Sequence, residues 1–121
     1  MVINVEENYK ASKVLLENEL YNACLHNAQQ CIEKALKSLF IEKAIPFKKT
    51  HNILELKTTL EKHSIIIDLS EDECDFIDSI YLPAKYPVGS ALPLFYPDKE
   101  ICESSITLTD RVLKDVNNLL K

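Results

Sequence analysis

From Val5 to Leu119 the apolar residues recur at helical spacing, and the one long interruption is the segment from Pro83 to Pro97. A period near 3.6 residues buries one face of a helix, whereas a half-buried strand needs a period of two. The chain is therefore confined to packed helices. Val5, Tyr9, Ser12, Leu15 and Leu16 mark one face of a first helix, with Asn4 as its expected N-cap. Near Asn18 a second helix takes over, in which Leu20, Cys24, Ala28, Cys31, Ala35 and Leu39 form a stripe that Leu25, Ile32, Leu36 and Phe40 widen. So broad an apolar arc needs several neighbours, which makes this the central helix. Its remaining face carries a polar strip of His26, Gln30, Glu33 and Lys37, with Glu33 and Lys37 in the favourable order for an ion pair.

Pro46 closes that region, and Thr50 is the expected N-cap of a third helix built on Ile53, Leu56 and Leu60. Ile65-Ile66-Ile67 resembles a strand in composition but has no partner strand, so it reads as a buried connector. Ser70 and Glu73 form a capping box that opens a fourth helix through Ile77 and Tyr81. Between Pro83 and Pro97 lie four of the five prolines and the single glycine, Gly89, which makes this the one long loop. Loops of that length in compact chains are often functional. Pro97-Asp98 starts the last helix, with Ile101, Leu108, Val112, Val116 and Leu119 inward. The expectation is an all-α, up-and-down bundle of four to five helices, and a single domain over residues 1–121.

Composition narrows the function. The chain of 121 residues is 46% apolar and 27% charged, the balance of a soluble globule, and no apolar run is long enough to span a membrane. The N-terminal sequence has no basic segment ahead of an apolar run, so it is not read as a secretory signal, and a cytoplasmic location is expected. A net charge of −5 disfavours duplex DNA, whose binding depends on neutralising phosphates. Cys24, Cys31, Cys74 and Cys102 match neither a CxxC pair nor a zinc knuckle and read as reduced core thiols. Asp68, Glu71, Asp72, Glu73, Asp75 and Asp78 lack the glycine and ligand spacing of a calcium loop and read as a solvated helix face. One glycine is too few for a P-loop or a dinucleotide fingerprint. No metal and no cofactor is expected.

Tyr21-Asn22-Ala23 leading into Ala28-Gln29-Gln30-Cys31-Ile32-Glu33-Lys34-Ala35-Leu36-Lys37, then Thr50-His51-Asn52-Ile53, then Ala84-Lys85-Tyr86-Pro87, resembles the HEPN domain in order and spacing over nearly the whole chain. Where that branch commonly has arginine-tyrosine-proline, this chain has Lys85-Tyr86-Pro87, which keeps the charge and loses the bidentate geometry. The resemblance implies a helical bundle, commonly a homodimer, often encoded beside a minimal nucleotidyltransferase and proposed to bind nucleotides or form a toxin–antitoxin pair. Many such proteins are metal-independent ribonucleases that use an arginine followed a few residues later by histidine. Here the only arginine, Arg111, is followed by no histidine, and His26, His51 and His63 have no arginine upstream. No catalytic residue is therefore assigned.

Two classes of function remain. The first is a binding module that holds a nucleotide, a short RNA or a nucleotidyltransferase partner through Gln30, Glu33, Lys37, His51, Lys85 and Tyr86. The alternative is a ribonuclease toxin that uses His51 with Lys37 or Lys85. Counting one chain reversal per helix places Lys37, His51 and Lys85 at one end of the bundle. From Glu33 to His51 five lysines stand against two glutamates, a local charge of +3. The amide N–H groups that open the third helix would add to its attraction for phosphate.

Overall fold

The computed structural model describes residues 3–46, 49–85 and 98–120, with side chains for all of these except 3, 4 and 80–85. Five helices account for most of these residues: α1 (Ile3–Glu17), α2 (Tyr21–Glu42), α3 (Ile53–Lys62), α4 (Glu71–Lys85) and α5 (Lys99–Leu120). No strand occurs among them. The fold is all-α, as the periodicity demands.

One core cluster draws on every helix, including Val5, Leu36, Leu39, Phe40, Ile53, Leu56, Leu60, Ile77, Val112 and Val116. Twelve residues of α2 are buried, and α2 packs against all four other helices. The wide apolar arc is thus the central helix in space as well as in sequence. A smaller cluster joins Cys24 and Leu25 of α2 to Cys102 of α5. All four cysteines are buried and unbridged, and burial pushes the Cys31, Cys74 and Cys102 thiols up to about 12.

Side-chain pairs fix the helix directions. Val5 meets Cys31 while Leu15 and Leu16 pack on the cluster of Cys24 and Leu25, so α1 runs against α2. Tyr21 and Cys24 meet Cys102 near the starts of both helices, and Tyr9 reaches Asp110, so α5 runs with α2. The amide of Asp68 meets Asp115 and Glu73 pairs with Arg111, so α4 runs against α5. The four long helices α1, α2, α4 and α5 therefore alternate in direction. The shorter α3 departs from the alternation: Ile53 lies against Asp78, and Lys57 lies within the field of Cys74 and Glu71, so it runs against α4 and with α2.

Helix ends agree with the sequence at some points and not at others. The Ser70–Glu73 capping box forms in both directions, and Asp98 accepts from the Ile101 amide. At α3, however, the N-cap is Asn52, whose Oδ1 accepts from the Glu55 amide, while Thr50 accepts from the Asn52 amide one step earlier. Asn4 lies inside α1 rather than capping it. In the connector Ile67 is buried, but Ile66 is 65% exposed. α4 continues through Pro83 to Lys85, so the expected loop starts later than its first proline; residues 86–97, with Tyr86 and Gly89, lie outside the described residues. Glu19, Ala44 and Ser64 take positive φ after α1, α2 and α3. Each stands at the C′ position of a Schellman motif, closed by paired bonds such as Ile45 N–H to the Phe40 carbonyl and Ala44 N–H to that of Ile41.

Candidate functional site

Glu33 sits in the middle of α2 on the edge of its buried arc, and its side chain is only 11% exposed. A carboxylate so placed requires partners. It has three. Gln29, one turn earlier, donates Nε2–H to Oε1 at 3.2 Å, and Lys37, one turn later, donates from Nζ to Oε2 at 3.1 Å. His51 Nδ1 stands 3.0 Å from both oxygens. Burial pushes the Glu33 carboxyl up, but the contacts from His51, Lys37 and Gln29 outweigh it and hold the group below its ordinary range. Glu33 is therefore ionised at neutral pH, and the Nδ1 facing it carries the proton.

His51 comes from the segment before α3, and its ring is 54% exposed. What places this segment is a residue on another helix. Asp78 of α4 accepts from the Ile53 amide at 2.8 Å and from the Leu54 amide at 3.3 Å. Burial raises the Asp78 carboxyl above its ordinary range, the two amides work against the rise, and Asp75 and Glu33 add to it. With Asn52 accepting from Glu55, the first three amides of α3 are occupied. The helix N-terminus that the sequence offered to phosphate is already capped by a carboxylate.

Of the six residues read as a site, Glu33, Lys37 and His51 come together. Gln30 is half-buried and stands outside the cluster, where its neighbour Gln29 takes the place. Lys85 ends α4 seven residues beyond Asp78, about 10 Å further along the helix at ~1.5 Å per residue. Because α4 runs against α2, that carries it toward the N-terminal half of α2 and away from Lys37. The chain-reversal count misplaced it because the connector after α2 climbs back to the level of Glu33, so α3 adds no reversal. The Lys85 side chain and Tyr86 lie outside the description. The lysine-rich stretch also disperses: Lys34 turns to Asn8 of α1, Lys43 and Lys49 are exposed, and Lys48 lies outside the described residues.

Gln29 and Asp78 were missed by sequence reasoning, and each left a signal. Gln29, Glu33 and Lys37 follow one another at intervals of four, and Asp78 falls four after buried Cys74. Gln29 has a further peculiarity. It is 1% exposed, donation to Glu33 fixes its amide orientation, and its Oε1 has no hydrogen-bond partner among the described residues. Asp78 is also the exception in an acidic face that is otherwise mostly exposed, together with Glu73, which pairs with Arg111. No group of three or more His, Cys, Asp or Glu side chains suited to a metal ion occurs among the described residues, and none of their helices is long and apolar enough to cross a membrane.

What this cluster can do chemically follows from its geometry. A buried anion orients a half-exposed imidazole, and a lysine ammonium, 22% exposed, stands beside them. A lysine ammonium and the outer nitrogen of an oriented imidazole thus stand at one place on the surface. Comparison with known proteins shows what the chain is similar to. The family model for the HEPN domain matches residues 4–119. A protein of Methanocaldococcus jannaschii named "Putative toxin MJ1304" is 25% identical over 123 aligned residues, covering 96% of this chain and 78% of that one. The crystal structure of ST0689, an archaeal HEPN homologue, superposes with a TM-score of 0.69 at 21% identity, covering 98% of this chain and 93% of the other.

Proposed function

The chain belongs to the HEPN domain family, and we propose that it is the HEPN component of a toxin–antitoxin-like system, with the Glu33–Lys37–His51 cluster as its binding site. The observation that carries this reading is the half-exposed His51 ring held on both oxygens of buried Glu33 with Lys37 adjacent. The occupant is a phosphate-bearing group, either a free nucleotide or one presented by a nucleotidyltransferase partner. Lys37 serves as the point charge, and His51, whose Nδ1–H is committed to Glu33, donates through Nε2–H when its ring is doubly protonated. The name of the Methanocaldococcus relative supports the toxin-like setting. Self-association into a homodimer belongs to the same proposal, supported by exposed Val14, Leu20, Ile41 and Ile66. Calorimetric titration with ATP and AMP tests the site. Binding that weakens at least tenfold in both Lys37→Ala and His51→Ala is expected, and unchanged affinity in both variants would overturn the assignment.

One observation favours a second reading. With Nδ1–H donated to Glu33, a singly protonated His51 ring has its lone pair on Nε2, the arrangement of a histidine general base oriented by a carboxylate. A metal-independent ribonuclease would use that nitrogen to take a 2′-hydroxyl proton, with Lys37 stabilising the developing phosphorane charge. Incubation with tRNA, mRNA and short oligoribonucleotides separates the two. The binding module leaves all three intact, whereas cleavage lost in His51→Ala would establish the enzyme.

A further inference from the structure

We propose that Asp78 is the positioning residue of this site, setting the His51 ring on Glu33 by anchoring the first two amides of α3. The inference rests on the reading of the Glu33–Lys37–His51 cluster as the site, and it names what holds that site together. His51 and Asn52 have no regular secondary structure, and α3 is only ten residues long. Where His51 stands is therefore decided by where α3 begins. The cap from Asn52 to the Glu55 amide is internal to the segment and travels with it. Asp78 belongs to α4, 25 and 24 residues away from the amides it holds, so it fixes the start of α3 to the bundle.

The chemistry of the contact supports a positional role. Two oxygens take two successive amides, at 2.8 Å to Ile53 and 3.3 Å to Leu54, which constrains the direction of the chain as well as its location. Ile53 is fully buried, so its backbone is held on one side by core packing and on the other by the carboxylate. His51 then needs only the reach of its side chain to meet Glu33. An asparagine at position 78 would keep one acceptor oxygen and turn an NH2 donor toward the other amide donor, so the contact of two oxygens with two amides is broken. The orientation would be lost while the volume is kept.

The test reads the tautomer of His51 in the ligand-free protein, so it is independent of whether any nucleotide binds. Ring nitrogen chemical shifts distinguish a proton on Nδ1 from one on Nε2. Recorded at a pH where the ring carries a single proton, wild-type His51 is expected to show the Nδ1–H form. In Asp78→Asn the ring should lose that signature and shift toward the Nε2–H form, while Asn52→Ala, which removes only the local cap, should lower the melting temperature and keep it. An Asp78→Asn protein that folds and retains the Nδ1–H form would overturn the proposal. Should Asp78→Asn fail to fold, hydrogen exchange of the wild type decides. The Ile53 and Leu54 amides have no acceptor within their own helix, and they should nonetheless exchange at least about tenfold more slowly than an unprotected amide. Free exchange at both would refute the anchor. A wild-type His51 in the Nε2–H form would instead refute the Glu33–His51 contact itself.

Discussion

Replacing Glu33 with glutamine keeps the shape of the side chain and removes its charge, and the structure sets the size of the consequence. The amide retains one acceptor. Gln29 Nε2 is buried and has nowhere else to turn, so the remaining oxygen should face it. The new NH2 then faces Lys37 and one of the two contacts of His51, which keeps the oxygen shared with Gln29; these side chains are 22% and 54% exposed and can swing to water. A hydrogen bond to a charged group contributes about 1.5–3 kcal/mol when buried, but exposed ion pairs contribute about 0–1. Removing the buried charge also removes its desolvation cost. A net loss of about 1 kcal/mol at neutral pH follows. With an unfolding entropy of ~2.1 cal/mol/K per residue, that corresponds to a fall of about 4 °C in melting temperature. Acid gives the distinguishing signature. Glu33 is held below its ordinary value of 4.5, so its contribution is complete above that pH and disappears as pH falls through the depressed folded-state value. Calorimetry from pH 7 to pH 3 should show the wild type ahead at neutrality and the gap closing below about pH 4.5. A Glu33→Gln protein as stable as the wild type at pH 7, or a gap that does not narrow between pH 4.5 and pH 3, would refute the network described around this carboxylate.

Leu36 is fully buried in the main core cluster, and Leu36→Ala should cost about 2–5 kcal/mol in a denaturant titration. Ala44 takes positive φ at an exposed helix terminus, where a residue with a Cβ is penalised by roughly 1–2 kcal/mol. Ala44→Gly should therefore stabilise the chain by a few tenths to about 1 kcal/mol after the greater unfolded-state freedom of glycine is subtracted, measured by thermal melts. Light scattering coupled to gel filtration should report a dimer. A monomer persisting at high micromolar concentration would contradict self-association.

The features legible in the sequence are those whose causes are local. Apolar period placed all five helices and picked out α2 as central, because burial on several sides leaves a wide stripe. The Ser70–Glu73 capping box and the Asp98 cap were readable because each is a contact over three residues. At α3 the same logic met two cap-forming residues two positions apart. Thr50 and Asn52 both cap, in series, and the outer one looked like the helix start. Gln29 and Gln30 differ by one helical step, and the apolar arc of α2 is too wide to show on which of them the polar strip begins. The role of Asp78 has no local signature beyond its spacing from Cys74, since the amides that donate to it lie on a helix more than twenty residues away. The direction of α3 was hidden for a related reason. It depends on a connector whose path no periodic pattern encodes, and with it went the expectation that Lys85 stands beside Lys37.

The central claim is that the Glu33–Lys37–His51 cluster receives a phosphate-bearing group, and amide chemical shifts recorded while ATP or AMP is titrated into the labelled protein test it most directly. Progressive shifts at Lys37, His51, Asn52 and Ile53, lost in Lys37→Ala, are the expected result. No shifts with either nucleotide, or shifts confined to the α1–α5 flank around Tyr9, Asp110 and Lys114, would contradict it.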